Sequence, residues 1–190
     1  MILQKNEEML SKSPILIFDT NIFLTGIDFN LFDGIIYTTP SIIEEIKVEK
    51  YSKQNKNILN KIYAALDNNK LIVRSPKRIY MEDVIEKSKL TGDFKALSKV
   101  DKELISLALE LVEIHKTTVQ IFSNDYSIEN VCSELNIPFF SLFKKGIKST
   151  ITWEVYCPHC KSSHDADKLF KTCEICGSRL KRKPKDYKIL

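Results

Sequence analysis

Two cysteine pairs in the last quarter of this 190-residue chain constrain its fold more than any other feature: Cys157-Pro158-His159-Cys160 and Cys173-Glu174-Ile175-Cys176. Two residues between the cysteines of a pair let both sulfurs curl onto one ion, and two such pairs complete a tetrahedral sulfur shell. Gly177, directly after the second pair, supplies the backbone freedom that such tight loops use. Disulfides would require an oxidising compartment, and a redox centre needs only one pair. The pattern predicts a structural metal, zinc before iron, held by Cys157, Cys160, Cys173 and Cys176. A module this small buries too little apolar surface to stand alone, and structural zinc contributes an apparent ~10–16 kcal/mol to folding. With four sulfurs closing the shell, His159 and His164 are read as solvent-facing, and Cys132 as a small core residue.

Charge divides the chain at the same place. Residues 1–146 carry 19 Lys+Arg against 20 Asp+Glu, and residues 147–190 carry 10 against 5, so the whole surplus behind the net charge of +4 lies in the last quarter. Such asymmetry predicts a polyanionic partner, nucleic acid or an anionic membrane surface. Beside a zinc module, the run Arg179, Lys181, Arg182, Lys183 and Lys185, with Trp153, Tyr156 and Phe170 nearby, reads as a phosphate-contacting surface, against the blander reading of a solvated tail. No apolar run reaches the ~20 residues of a membrane span. The polar first 13 residues, with Glu7 and Glu8, are unlike a secretory signal. A cytoplasmic protein with no membrane contact is expected.

Upstream, short apolar runs alternate with amphipathic stretches. Residues 15–18, 34–38, 71–73, 119–122 and 137–140 read as strands, the first buried on both faces because its four residues are all apolar. Pro40 opens a helix with Ile42, Ile43, Ile46 and Tyr51 on its apolar side. Further helices are expected over 58–66, 76–89, 98–115 and 127–135, with Thr91-Gly92 as a break. Thr20 and Asn21 are read as caps for the segment after the first strand. Strands alternating with helices imply parallel crossovers and an α/β sheet covered on both faces. Residues 144–150 read as a polar linker.

Two acids stand where sheet physics makes them conspicuous, Asp19 and Asp125, each following a buried apolar strand. Ligands of open α/β sheets gather at the carboxyl ends of strands. Glu45, in the first turns of the helix after the second strand, and Asp101, at the start of the long helix before the fourth, can join them. Singly, each reads as a cap or surface group. Together they are costly: two carboxylates ~4 Å apart repel by about 4 kcal/mol at an effective dielectric of 20, so the cluster calls for cations or protonation. Oxygen ligands suit Mg²⁺ or Mn²⁺, which polarise a phosphate and activate water. The chain contains no GxxxxGK[ST] or GxGxxG sequence, and its three histidines assemble no convincing Ser/His/Asp arrangement. A metal-dependent phosphodiesterase is the reading that survives.

The stretches Ile17-Phe18-Asp19-Thr20-Asn21, Thr39-Pro40-Ser41-Ile42-Ile43-Glu44-Glu45-Ile46, Asp101 and Phe122-Ser123-Asn124-Asp125 resemble the four acidic motifs of PIN-domain nucleases. Thr91-Gly92-Asp93-Phe94, Leu97-Ser98, Tyr126-Ser127-Ile128 and Asn130-Val131, followed by the four-cysteine ribbon, are similar to the Nin-one-binding endoribonuclease family in its shorter, archaeal form. The resemblance spans nearly the whole chain. It implies a PIN sheet of about five parallel strands with helices on both faces, residues 1–146, joined by a linker, 147–152, to a zinc ribbon with a basic tail, 153–190. It implies Asp19, Glu45, Asp101 and Asp125 as catalytic acids holding Mg²⁺ or Mn²⁺. Glu45 is preferred to Glu44 because Thr-Pro-x-x-x-x-Glu-Ile matches there, and Asn124 is a neighbour of the catalytic Asp125. The expected activity is maturation of the 3′ end of small-subunit ribosomal RNA. Expected partners are pre-ribosomal RNA, gripped by Arg179, Lys181, Arg182 and Lys183, and ribosome-assembly proteins. Other readings are a PIN ribonuclease acting as a toxin or in RNA decay, and a non-catalytic RNA-binding assembly factor.

Overall fold

The computed structural model describes residues 14–48, 52–115, 118–142 and 146–189. The polar segment 1–13 and Tyr51 lie outside the described residues.

Strand β1 (Ile15–Phe18) is buried at all four positions. It pairs in parallel with β2 (Ile35–Thr38) on one edge and β4 (Val119–Phe122) on the other. β3 (Leu71–Val73) and β5 (Phe139–Phe140) complete a five-stranded, all-parallel sheet of order β3-β2-β1-β4-β5. A central strand of such a sheet has no solvated face, which is why its sequence is an unbroken apolar run rather than an alternation.

Parallel neighbours require crossovers, and helices supply them. α1 (Thr20–Phe23) is a single turn after β1, and α2 (Pro40–Lys47) follows β2 with Pro40 opening it. α3 (Ser52–Asp67), α4 (Arg78–Thr91), α5 (Lys99–His115) and α6 (Tyr126–Glu134) complete the set. α3 begins six residues before the span read from its apolar positions, because its first turns are polar. Phe18 anchors the core edge-on against Phe23, Phe29 and Phe32, with ring centroids 5.0–6.4 Å apart. Cys132 is fully buried, as a small core residue should be.

The last quarter forms a second, antiparallel sheet of order β7-β6-β8, from β6 (Ser149–Tyr156), β7 (Ser163–His164) and β8 (Lys181–Ile189). β6 begins inside the stretch read as a linker, 147–152. The basic run is a strand rather than a tail: β8 lies along the whole of β6, from Ser149 opposite Ile189 to Tyr156 opposite Lys181. Pro184 sits opposite Trp153 at a register shift, where its missing N–H costs least. Val155, Leu169 and Leu180 pack with Cys157 and Cys173 as the small core of this module.

Polar clamps hold this module to the parallel-sheet domain. The buried Asn130 amide on α6 donates to the carbonyl of Ile151 (2.8 Å) and accepts from its N–H (2.7 Å), pairing with β6 as another strand would. Its Nδ2 also donates to Asp93 Oδ2 at 2.6 Å. Asp93, 1% exposed, takes the Arg182 guanidinium on its other oxygen at 2.8 Å, and that guanidinium stacks over the Trp153 ring at 4.3 Å. Gly92 closes α4 in the left-handed region, φ +79°, where a Cβ would lie 2.4 Å from the Trp153 carbonyl oxygen. Both the turn and the close approach exclude a side chain there. Among the described residues, no helix is long and apolar enough to cross a membrane.

Candidate active site and metal centre

The β1 and β4 ends stand side by side at the point where the strand order reverses, so the residues after them share one crevice. Asp19 caps α1: its Oδ1 accepts from the Thr20 N–H at 2.6 Å. The cap is thus Asp19 itself, not Thr20 or Asn21. Those two side chains work in the site instead, Thr20 Oγ1 donating to Glu45 Oε2 at 2.6 Å and Asn21 Nδ2 to Asp19 Oδ2. Ser123 stitches the strands together. Its hydroxyl donates to Asp19 Oδ2 at 2.7 Å and accepts from the Asp125 N–H at 3.1 Å. The Asn124 N–H donates to Asn21 Oδ1 at 3.3 Å.

The other acids arrive from helix starts. Asp125 caps α6, accepting from Ser127 N–H at 2.7 Å. Asp101 closes a reciprocal cap with Ser98: its Oδ2 accepts from the Ser98 N–H at 2.7 Å, and its own N–H donates to Ser98 Oγ at 3.1 Å. The capping role foreseen for Asp101 is real and engages one carboxylate oxygen. Glu45, not Glu44, is the acid of α2 tied to this network.

The electrostatics show the convergence. Burial pushes Asp19 up to about 6; the Ser123 hydroxyl and the Thr20 N–H pull against it, while Asp101 and Asp125 add repulsion. Asp101 is also raised, by burial first, with Asp125 and Glu45 pushing in the same direction against the Ser98 hydrogen bonds. Asp19 and Asp101 each feel other acids of the set. Among the described residues, none of the four forms an ion pair within 4.0 Å. Oxygen donors of this kind suit divalent ions such as Mg²⁺ or Mn²⁺. Among the described residues, however, the set whose ligand atoms are close enough together to hold one ion is the four cysteines, and the acids are linked here through their charges and hydrogen bonds. Lys102, next to Asp101 in the chain, forms no ion pair with it: its Nζ donates to the Leu97 carbonyl at 2.6 Å and lies 4.7 Å over the Phe94 ring, with Lys89 and Lys95 over the same ring at 5.3 and 5.4 Å. Burial lowers the Lys102 pKa and the Asp101 charge pulls it back up, with Lys95 adding to the lowering. Three lysines from α4, the following loop and α5 thus gather around Phe94, a cationic cluster that sequence reasoning missed.

The four cysteine sulfurs lie within 4.8 Å of one another. Cys157 Sγ is 3.4 Å from Cys176 Sγ, and Cys160 Sγ is 3.6 Å from Cys173 Sγ. Tetrahedral zinc with Zn–S near 2.3 Å places sulfurs about 3.8 Å apart, so the cage fits that ion. The two knuckles are built alike. Lys161 and Gly177, each four residues after the first cysteine of its pair, have φ +64° and +75° and donate to the Cys157 and Cys173 carbonyls at 3.0 and 2.8 Å. Lys161 therefore adopts the conformation that Gly177 takes without strain. His164 is not simply solvent-facing: its Nε2 is 2.9 Å from Ser162 Oγ and 3.5 Å from Cys173 Sγ. The ring lies against the cage because β7 pairs with β6 there.

The basic residues divide. Arg182 is committed to Asp93 and Trp153, so it joins the modules rather than standing free for phosphate. Lys183 lies 3.3 Å from Glu154 and over the Tyr156 ring, Arg179 lies over Phe170 at 5.9 Å, and Lys181 is exposed. Asp93 and Asn130 are the groups that dock the ribbon. Pairing across 89 residues left no local trace of this.

The parallel sheet with acids gathered at its switch point is the architecture expected of a PIN-type ribonuclease, and the family described as the PIN domain of ribonuclease matches residues 16–111. Endoribonuclease Nob1 of Methanocaldococcus jannaschii is 35% identical over 88% of this chain and 76% of its own length. Endoribonuclease Nob1 of Pyrococcus abyssi is 29% identical over 90% of this chain and 94% of its own. Ribonuclease VapC1 of Thermoplasma acidophilum is 32% identical over 92% of this chain and 80% of its own. The chain belongs to the Nob1 family of PIN-domain endoribonucleases. Its activity is accordingly that of an endoribonuclease.

Proposed function

We propose that this endoribonuclease matures the 3′ end of small-subunit ribosomal RNA, with Asp19, Glu45, Asp101 and Asp125 as its catalytic acids. What supports the reading is the mutual repulsion of Asp19, Glu45, Asp101 and Asp125, which adds to burial in raising the pKa of Asp19 and Asp101, beside a docked, basic four-cysteine ribbon. The four acids would hold Mg²⁺ or Mn²⁺, which supplies charge neutralisation at phosphorus and a more acidic water. Ser123, Asn21 and Thr20 orient Asp19 and Glu45 in the roles of outer-shell partners. Cys157, Cys160, Cys173 and Cys176 would hold zinc. The exposed basic residues Arg179, Lys181 and Lys183 would meet phosphates of pre-ribosomal RNA, and the work is cytoplasmic.

The presence of all four acids favours a working nuclease over a purely binding assembly factor. The test is incubation with RNA spanning the 3′ end of small-subunit ribosomal RNA in Mn²⁺, Mg²⁺ or EDTA. Cleavage dependent on the divalent ion, and reduced at least ~100-fold in Asp19→Asn with folding retained, is the expected result. Undiminished cleavage in Asp19→Asn refutes the assignment of the acids.

A further inference from the structure

A cleft of about 550 Å³ lies between the two modules, in the size range of small-ligand pockets. Tyr126, Ser127, Lys148, Ile151, Trp153 and Arg182 are among the residues that line it. Two properties set it apart from a packing defect. The first is position: Asp125 caps α6, and Tyr126 and Ser127 are the next two residues, so the cleft wall starts one residue from the acid site. The second is chemistry: two aromatic residues and an aliphatic one stand beside Lys148, with the Arg182 guanidinium held by Asp93 as a plane over Trp153, a combination that receives a flat ring through stacking and its phosphate through the lysine. Tyr126 is 52% exposed, an uncommon place for a large aromatic side chain in a site otherwise built of acids.

We infer that this cleft receives a nucleobase of the RNA strand, from a nucleotide flanking the scissile phosphate. The inference rests on the nuclease reading above and adds a subsite to it. A phosphate at the acids leaves its neighbouring nucleotide beside Tyr126, and unpaired bases of single-stranded RNA are bound by stacking on aromatic and guanidinium planes. A base in a duplex is already stacked and paired, so the cleft selects single-stranded RNA at the cut. Since β6 and β8 supply Trp153 and Arg182, the subsite exists only while the ribbon is docked.

Trp153 is the sole tryptophan of the chain and reports on the cleft directly. The intact, zinc-loaded Asp19→Asn protein would be titrated with a single-stranded oligoribonucleotide spanning the 3′ end of small-subunit ribosomal RNA, following tryptophan emission. A set of the same oligonucleotide with one abasic nucleotide moved through the sequence locates the base. The expected result is saturable quenching that one abasic position beside the cut abolishes, with affinity weakened about 5- to 150-fold. Tyr126→Ala should lose the same factor and Tyr126→Phe should regain it, with unliganded tryptophan emission unchanged in both. Cleavage of the same RNA by the unsubstituted protein in Mn²⁺ is measured in parallel. Cleavage with quenching indifferent to every abasic position, or Tyr126→Ala binding as tightly as the parent, overturns the subsite and leaves the nuclease reading standing. A protein that neither binds nor cuts this RNA overturns both.

Discussion

Asp19 pairs a buried carboxylate with a raised pKa, and the effect on stability has a measurable sign. Its folded value of about 6 lies above the ordinary 3.8, so the folded protein holds the proton more tightly than the unfolded chain. The associated stability is fully present below about pH 3.8 and is lost as pH rises through about 6, at roughly 3 kcal/mol for a shift of this size. The metal-free protein should therefore gain melting temperature in Asp19→Asn at pH 7.5 and gain none attributable to this group at pH 3.5; equal shifts at both pH values would contradict the raised pKa. Ser123 makes a second prediction. Its hydroxyl is the strongest single influence holding Asp19 down, so Ser123→Ala should raise that pKa further. A pH–rate profile of Ser123→Ala should show the acid limb displaced to higher pH and the maximal rate down by about tenfold, since a hydrogen bond to a charged group contributes ~1.5–3 kcal/mol. These linkages were invisible in the sequence, where Ser123 and Asn21 were merely neighbours of acids. The acids themselves were legible, because each of the two strand-end aspartates follows an apolar run that physics places in the centre of a sheet.

Among the elements, the contrast between β1 and β8 shows what a sequence discloses. β1 is buried on both faces and had to be apolar, so it was readable. β8 is exposed at almost every position, pairs with β6 alone and includes a proline, so nothing in its composition distinguished it from a solvated tail. The ribbon's attachment was equally hidden, because it rests on polar groups of α6 and of the α4–α5 loop rather than on an apolar stripe. The attachment predicts strong effects from small changes. Asn130→Ala leaves the Ile151 N–H and carbonyl and the Asp93 carboxylate short of a partner, and should cost at least ~2 kcal/mol in chemical denaturation. Gly92→Ala should free the ribbon by driving a methyl into the Trp153 carbonyl. Limited proteolysis that cuts the ribbon no faster in Gly92→Ala than in the parent would show that the close approach is unimportant.

For the whole molecule, the split of charge gives a salt-dependent prediction. With Arg182 committed to Asp93, replacing Arg179, Lys181 and Lys183 by alanine should lower the slope of log affinity for RNA against log salt by about 2, at about 0.7–0.9 for each phosphate no longer neutralised. A slope left unchanged in a salt titration would place the phosphate-binding surface elsewhere, with the lysines around Phe94 the next to replace. Arg182→Ala should behave differently, weakening the docking of the ribbon more than the salt slope. The order of strands in the sheet bears on time as well as space. Among the described strands β1 comes first and occupies the centre, yet its partner on the acid side is the fourth, and the hydrogen bond joining Ser123 to Asp19 spans 104 residues. During synthesis, then, Asp19, Glu45 and Asp101 are made before β4, and Asp19 waits about a hundred residues for Ser123 and Asp125. On the proposed assignment, a nascent chain still lacking β4 has no Ser123 or Asp125, so the acid crevice is complete only when the sheet has closed.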